Sequence, residues 1–320
     1  MRQITYVQAI NEAIAEEMSR DRSVFLMGED VQIAAFGTTV GLVEKFGSER
    51  VRNTPISETG FVGAGIGAAL TGFRPIVEVQ LASFLWVAMD QICNQASKIR
   101  YMSGGQANLP LTIRSLNGVI GSAAAQHSET LYSTFLNVPG LKVAAPSNPY
   151  DAKGMLKTAI RDDNPVLFFE HLKLGAKTGE VPEEEYLVPL GKASIVREGS
   201  DATVVAIAWM VDIALEAATK LSEEKISVEV IDVRSLVPLD HQAILQSIGK
   251  TGRLVIVDEA HKTGSAAAEI AAFIAEEGFS SLRAPIKRIA GLDVPIPFSP
   301  PMEQFVIPTP EKVVTAVQEI

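Results

Sequence analysis

Thr54-Pro55-Ile56-Ser57-Glu58-Thr59-Gly60-Phe61 runs directly into Val62-Gly63-Ala64-Gly65-Ile66-Gly67-Ala68-Ala69-Leu70. The second half is small and apolar and reads as a helix whose glycines let neighbouring backbone approach. β-prone runs lie on either side, at Val24–Met27 and Pro75–Val79. A helix between two short strands is the building unit of a parallel sheet. Glu58 is the lone carboxylate at the start of this helix. An acid in such surroundings is costly unless it gains a partner or keeps its proton. Two readings fit it. Glu58 is either a group suited to holding a proton on a heteroaromatic nitrogen, or a helix N-terminal acid favoured by the dipole, with Ser57 or Thr59 as cap. The stretch alone does not choose between them.

The same alternation continues outward. Thr5-x-x-Gln8 is a capping-box pattern, with Ile10, Ile14 and Met18 at helical spacing behind it. Further strands are expected at Leu111–Arg114, Leu141–Ala145 and Val166–Phe169. Helices are expected at Phe84–Tyr101 and Pro149–Arg161, the latter with Asn148 as cap and Pro149 at the first helical position. The acidic, proline-bearing stretch around Gly179-Glu180-Val181-Pro182-Glu183-Glu184-Glu185 lacks periodicity and reads as a linker. Beyond it, strands are expected at Ala202–Ala208, Ile226–Asp232, Leu254–Asp258 and Ile286–Ile289, with helices near Val211–Leu221, His241–Gly249 and Ala266–Glu277. The fold class is therefore α/β, with two open, mainly parallel-sheet domains. The expected division is 1–175, a linker at 176–190, and 191–320.

The chain has 320 residues, is 47% hydrophobic and 21% charged, and carries a formal net charge of −10. That charge argues against a nucleic-acid partner, which needs a basic face, and against an anionic membrane surface. The single cysteine, Cys93, excludes a disulfide framework and a cysteine-based metal site, and is expected to be a small core residue. No signal-peptide core and no membrane-spanning apolar run is present, so a cytoplasmic or organelle-matrix protein is expected.

Ligands of open parallel sheets bind beyond the carboxyl ends of the strands. Glu29 and Asp30, then Ser83 and Phe84, then the Gly- and Ala-rich chain from Ser115 to His127 occupy such places. Of four histidines, His127 has the best setting, because a small-residue loop can bring its imidazole close to a substrate. His171 and His261 follow strand ends with weaker cases, and His241 reads as a solvated residue. Gly63-x-Gly65-x-Gly67 does not have dinucleotide-binding spacing. No Walker A, Gly-x-Ser-x-Gly or His-Glu-x-x-His pattern occurs, nor a Gly-Asp-Gly with a downstream Asn that would grip a diphosphate through Mg²⁺.

Taken together, Gly28-Glu29-Asp30-Val31, Thr54-Pro55-Ile56-Ser57-Glu58, Arg74-Pro75-Ile76-Val77-Glu78, Asp90-Gln91-Ile92, Arg100-Tyr101-Met102-Ser103-Gly104-Gly105, Gln126-His127-Ser128, Pro139-Gly140-Leu141-Lys142-Val143, Asp151-Ala152-Lys153-Gly154 and Arg161-Asp162-Asp163-Asn164-Pro165 resemble the β subunit of the E1 component of 2-oxo acid dehydrogenase complexes, the acetoin branch included. The similarity covers nearly the whole chain. It implies a pyrimidine-binding domain and a transketolase-type C-terminal domain in an α2β2 heterotetramer with E1 α subunits, working with E2 lipoyl acyltransferase. It also implies thiamine diphosphate, whose diphosphate and Mg²⁺ the α subunit would hold. By the same resemblance Glu58 would hydrogen-bond the aminopyrimidine, Phe84 would stack on it with Gln80 alongside, and Tyr101 would line the cleft. Glu29 would belong to a proton path, and His127 would steady the intermediate and assist acyl transfer. Leu111, Ala159, Asp162 and Asn164 match a potassium site of some members; Asp162 and Asn164 equally fit a helix-ending turn. Ala82-Ser83 and Gly175 depart from the family pattern on the substrate side. Two other readings remain, a self-sufficient transketolase-type enzyme and a non-catalytic subunit that docks E2.

Overall fold

A computed structural model describes all 320 residues and divides them into two compact units. The first comprises Met1–Asn117 and Phe135–Leu190, the second Gly118–Thr134 and Gly191–Ile320.

In the first unit, β1 (Arg2–Thr5) leads into α1 (Tyr6–Arg20), which begins with the expected capping box: Thr5 Oγ1 accepts from Gln8 N and Gln8 Oε1 from Thr5 N. Then come β2 (Val24–Gly28), α2 (Leu42–Phe46), β3 (Val51–Asn53), α3 (Glu58–Leu70) and β4 (Arg74–Leu81). They are followed by α4 (Ile99–Met102), β5 (Thr112–Asn117), β6 (Lys142–Ala144), α5 (Pro149–Arg161), β7 (Val166–His171) and β8 (Thr178–Val181). Six strands lie in the order β6-β7-β5-β4-β2-β3, all parallel. Both faces are covered, so the strands are nearly uniformly apolar, as in Val24–Met27. Helix α1 buries Ala9, Ile10, Ala13, Ile14 and Met18 and packs against α5. At that contact the buried ammonium groups of Lys153 and Lys157 meet Glu12 and Glu16.

Two expectations changed here. The stretch Phe84–Tyr101 is not one helix but a 3-10 turn (Ala82–Ala88), a π-helical turn (Gln91–Ala96) and the short α4. Its carbonyls are captured from outside the helical ladder: Thr59 Oγ1 donates to Val87 O at 2.7 Å, and Ser97 Oγ to Cys93 O at 2.6 Å. Cys93 itself is half-buried, and burial pushes its thiol pKa up. The stretch read as a linker contains β8, which pairs antiparallel with β1 from Arg2↔Val181 to Thr5↔Thr178, and it buries Val181 and Val188.

The second unit comprises β9 (Ser194–Arg197), β10 (Ala202–Ala206), α6 (Met210–Glu223), β11 (Val228–Asp232), β12 (Ser235–Val237) and α7 (His241–Thr251), then β13 (Leu254–His261), α8 (Ala266–Glu277), β14 (Lys287–Gly291), α9 (Pro300–Val306) and α10 (Pro310–Gln318). Its sheet runs β14-β13-β10-β11-β9, parallel except for β9. Its core joins Val204, Ala206, Val230, Val255 and Val257 of the sheet to Met210, Ala214 and Leu221 of α6 and Val313 of α10. No helix in either unit is long and apolar enough to cross a membrane.

Candidate active site

The carboxyl ends of β2, β3 and β4 converge on Glu58. Thr54 N donates to Gly28 O at 3.0 Å, which ties the end of β3 to the end of β2. Gly28 is required there, since a Cβ would sit 2.5 Å from Glu78 O of β4. Glu58 opens α3 and is only 6% exposed, although Ile56 two residues earlier is 85% exposed. Ser57 occupies the cap position without a side-chain cap bond, and the Thr59 hydroxyl is spent on Val87 O. Neither is the cap of the second reading. Only the dipole part of that reading applies to Glu58, in the first turn.

Glu29 follows β2, and its carbonyl accepts from Gln80 Nε2 at 3.3 Å. Burial pushes the Glu29 carboxyl pKa up, and the nearby charges of Glu58 and then Asp30 push it the same way. The charge of Glu58 therefore reaches the Glu29 carboxyl. The buried Oε1 of Glu29, Oγ1 of Thr54 and Oγ of Ser83, which follow β2, β3 and β4, have no hydrogen-bond partner, and neither has Oε1 of Gln91 in the π-helical turn. A Cβ on Gly63 of α3 would lie 3.7 Å from Gln91 Cγ, so Gln91 packs over the same helix. Buried oxygens left unpaired are costly, and three just beyond the ends of neighbouring strands mark a place built to receive hydrogen-bonding groups from elsewhere. Phe84 is half-buried in the 3-10 turn after β4.

His127 lies in Gly118–Thr134, within the second unit, at the end of a 3-10 turn (Ala125–His127), and is exposed. The other histidines sit elsewhere. His171 is buried and its Nδ1 accepts from Lys173 N at 3.2 Å. His261 Nδ1 lies 2.7 Å from Leu292 O, and His241 stacks on Phe273 with ring centres 4.0 Å apart.

Similarity to known proteins agrees with this fold. Residues 2–176 match the transketolase pyrimidine-binding domain family, and residues 191–313 the transketolase C-terminal domain family. The chain is 49% identical to the β subunit of acetoin:2,6-dichlorophenolindophenol oxidoreductase of Bacillus subtilis, over 100% of this chain and 97% of that protein. It is 46% identical to the 2-oxoisovalerate dehydrogenase β subunit of the same organism, over 99% and 98%. It is 47% identical to a mitochondrial pyruvate dehydrogenase E1 component subunit β-1 of Arabidopsis thaliana, over 98% and 88%. The chain belongs to the E1 β-subunit family. A solved split-gene transketolase, described as an inactive β4 tetramer, shares the fold of this E1 β-family chain, with a TM-score of 0.82 at 24% identity over 99% of this chain and 97% of that one.

The remaining expected residues of this E1 β-family chain are placed as follows. Tyr101 is 89% exposed and lines a surface hollow with Ser97, Arg100, Gly140 and Asn164. Asp162 caps α5, and its Oδ1 accepts from both N and Nδ2 of Asn164 at 2.9 Å, which is the helix-ending turn. Its other oxygen pairs with Lys142, and its carbonyl accepts from Arg74 at 3.1 Å. Leu111 O accepts from Val166 N, and Ala159 O from Asp162 N. No group of three or more His, Cys, Asp or Glu side chains is placed to hold a metal ion.

One cluster went unnoticed in the sequence. The fully buried Arg114 guanidinium makes two bonds to Glu170, at 2.6 and 2.9 Å, and one to Glu78 at 2.5 Å. Burial pushes the Glu78 carboxyl up, while the two acids hold Arg114 firmly charged. With Thr38, Gln80 and Ser115 these groups line a small cavity, into which the Ser115 hydroxyl brings a further unpaired oxygen. A single charge in each of three apolar strand runs was the available signal.

Proposed function

We propose that this chain is the catalytic β half of a thiamine diphosphate-dependent E1, which oxidatively decarboxylates a 2-oxo acid or cleaves acetoin and passes the acyl group to E2 lipoamide. In this reading residues 1–175 are the pyrimidine-binding domain and 191–320 the transketolase C-terminal domain. The observation that carries it is the buried Glu58 at the start of α3, whose charge reaches Glu29, together with the unpaired buried oxygens of Glu29, Thr54 and Ser83 just after β2, β3 and β4. Acid, hydroxyl and amide oxygens of that kind suit an aminopyrimidine, whose edge offers N–H donors and ring nitrogens.

When bound, thiamine diphosphate supplies the carbon nucleophile and the electron sink. Glu58 holds a proton at the pyrimidine nitrogen, Gln80 and Phe84 fix the ring, and Glu29 shares the proton path. Tyr101, whose hollow beside Gly140 and Asn164 lies at the amino ends of β6 and β7, takes no part in it. Across the full reaction a 2-oxo acid, a lipoyl disulfide and one proton become carbon dioxide, an acyl thioester and a free thiol. The S–S bond breaks and is reduced by the two electrons released from the substrate carbon. His127 supplies the proton to the departing sulfur. The diphosphate and its Mg²⁺ are assigned to the α subunit, so the working enzyme is α2β2. A potassium ion against Leu111, Ala159, Asp162 and Asn164 is not part of this reading. Lys142 and Arg74 already bring positive charge there, so exchanging potassium for sodium should leave the Tm nearly unchanged.

The test is reconstitution with the α subunit and thiamine diphosphate. Glu58→Gln should lower kcat by about 10²- to 10⁴-fold at unchanged Tm. Normal turnover of that variant would overturn the assignment.

A further inference from the structure

The strap that carries His127 is held from below by carboxylates no role has yet been given to. Gly118 N donates to Glu129 O at 3.0 Å, which closes residues 118–129 into a loop. Glu259, at the carboxyl end of β13, grips both sides of the closure: Oε1 accepts from Val119 N at 3.3 Å and Oε2 from Thr130 Oγ1 at 2.8 Å. Glu303 of α9 accepts from Ser122 N at 2.9 Å. Both carboxylates are 5% exposed. Beside them Tyr132 OH donates to Asp258 at 2.5 Å, and Ser133 Oγ accepts from Ala266 N at 3.0 Å. Val119 is fully buried among Ile296, Val306 and Ile307.

Above these anchors the backbone is strained. Ser122 has φ +55° and Ala124 has φ +58° with ψ −166°, a conformation that is essentially glycine's alone. Non-glycine residues stay in such conformations only where their surroundings over-determine them, and such sites cluster at functional residues. Here His127 comes three residues later, its N–H donating to Ala124 O at 3.3 Å. The anchors at Val119 and Thr130 bracket both the strained pair and His127, and the anchor at Ser122 holds the first strained residue itself.

We propose that Glu259, with Glu303, is a positioning residue for acyl transfer. It holds the 118–130 loop in a strained form that fixes where the His127 imidazole stands. This rests on the role given to His127 above. Glu259 touches no substrate; it acts through the backbone at Val119 and the hydroxyl of Thr130.

The test uses the reconstituted α2β2 enzyme, thiamine diphosphate and a lipoyl domain as acceptor, with a dye acceptor that bypasses the lipoyl step as reference. The readout is the ratio of lipoyl-linked to dye-linked turnover. Glu259→Ala should lower it on the order of 10- to 100-fold, the usual effect of displacing a catalytic group by about 1 Å. Glu259→Gln should restore it, because its amide oxygen can accept from Val119 N and its N–H₂ can donate to Thr130. Ala124→Gly should lower the ratio while raising or preserving the Tm, an opposition that a purely structural role would not give. Thr130→Val, which removes one contact only, serves if Glu259→Ala does not fold. Should His127→Ala lose the ratio while Glu259→Ala, or Thr130→Val in its place, and Ala124→Gly keep it, the positioning role is wrong and the His127 role survives. A full ratio in His127→Ala overturns the His127 role, and the positioning role with it.

Discussion

In the N-terminal unit Glu78 and Glu170 are buried against one guanidinium, Arg114, whereas in the C-terminal unit Asp258, Glu259 and Glu303 are buried against N–H and O–H donors of no net charge. The first arrangement neutralises charge between neighbouring strands. It is compact and indifferent to which loop lies nearby. The second selects particular backbone positions, Val119, Ser122, Ala260 and Ala267, and so dictates the course of the chain. Ion pairing supports a sheet, and neutral donors shape a loop.

The sharpest way to break that contrast is Arg114→Met. It leaves two buried acids facing each other and should cost about 3–5 kcal/mol, read from urea unfolding of the assembled protein. A cost below about 1 kcal/mol would mean the acids find water and the cluster is not closed.

Tyr132→Phe should cost less, about 1.5–3 kcal/mol, since Asp258 keeps the N–H groups of Ala260 and Ala267. It should also carry a pH signature. Burial raises the Asp258 carboxyl above its ordinary 3.8, and the Tyr132 bond opposes that rise. The folded state therefore binds the proton more tightly than the unfolded one. Stability from this group is greatest at low pH and falls as pH climbs from the ordinary value through the raised one. Losing Tyr132 lifts the folded value further, so the gap between the two proteins should widen as pH climbs from the folded value of the intact protein to that of the variant. A gap independent of pH would show that Asp258 does not titrate in the folded chain.

The smallest effect, with the opposite sign, belongs to Asp162 of the N-terminal unit. Burial raises its pKa, but the hydrogen bonds from Lys142 and Asn164 outweigh burial and hold it below 3.8. Its contribution is present above the ordinary value and is lost as pH falls through the folded one. Asp162→Asn should cost about 1 kcal/mol or less near neutrality and nothing once pH has fallen well below the lowered folded value. An equal cost at both ends would assign the effect to the turn rather than to the ion pair.

Much of this was legible in the chain because it is local. The Thr5 and Asn148 caps, the β-prone runs and the lone acid before a small-residue helix each announce themselves within a few residues. What was missed depends on distant partners. Thr178–Val181 offers a single buried residue, and only its pairing with Arg2–Thr5 makes it a strand. Gly118–Thr134 joins the second unit because Val119 buries against side chains nearly two hundred positions later. The Arg114 cluster exists because register sets Glu78 opposite Arg114, a fact that no one strand records. For the site, Glu58 stood out as an unaccompanied charge, but its nearness to Glu29 follows from strand ends meeting in space.

The bare α-carbon at Gly28 acts as a spacer gauge. With no room for even one methyl group against the Glu78 carbonyl, any replacement must pry two neighbouring strands apart. Gln80 rides on β4 and Glu29 directly follows β2, so both would shift with the strands, while Glu58 rides on a helix and would stay behind. A minimal Gly28→Ala change would thus spoil the alignment of the acids without removing either, damage that side-chain chemistry elsewhere cannot repair.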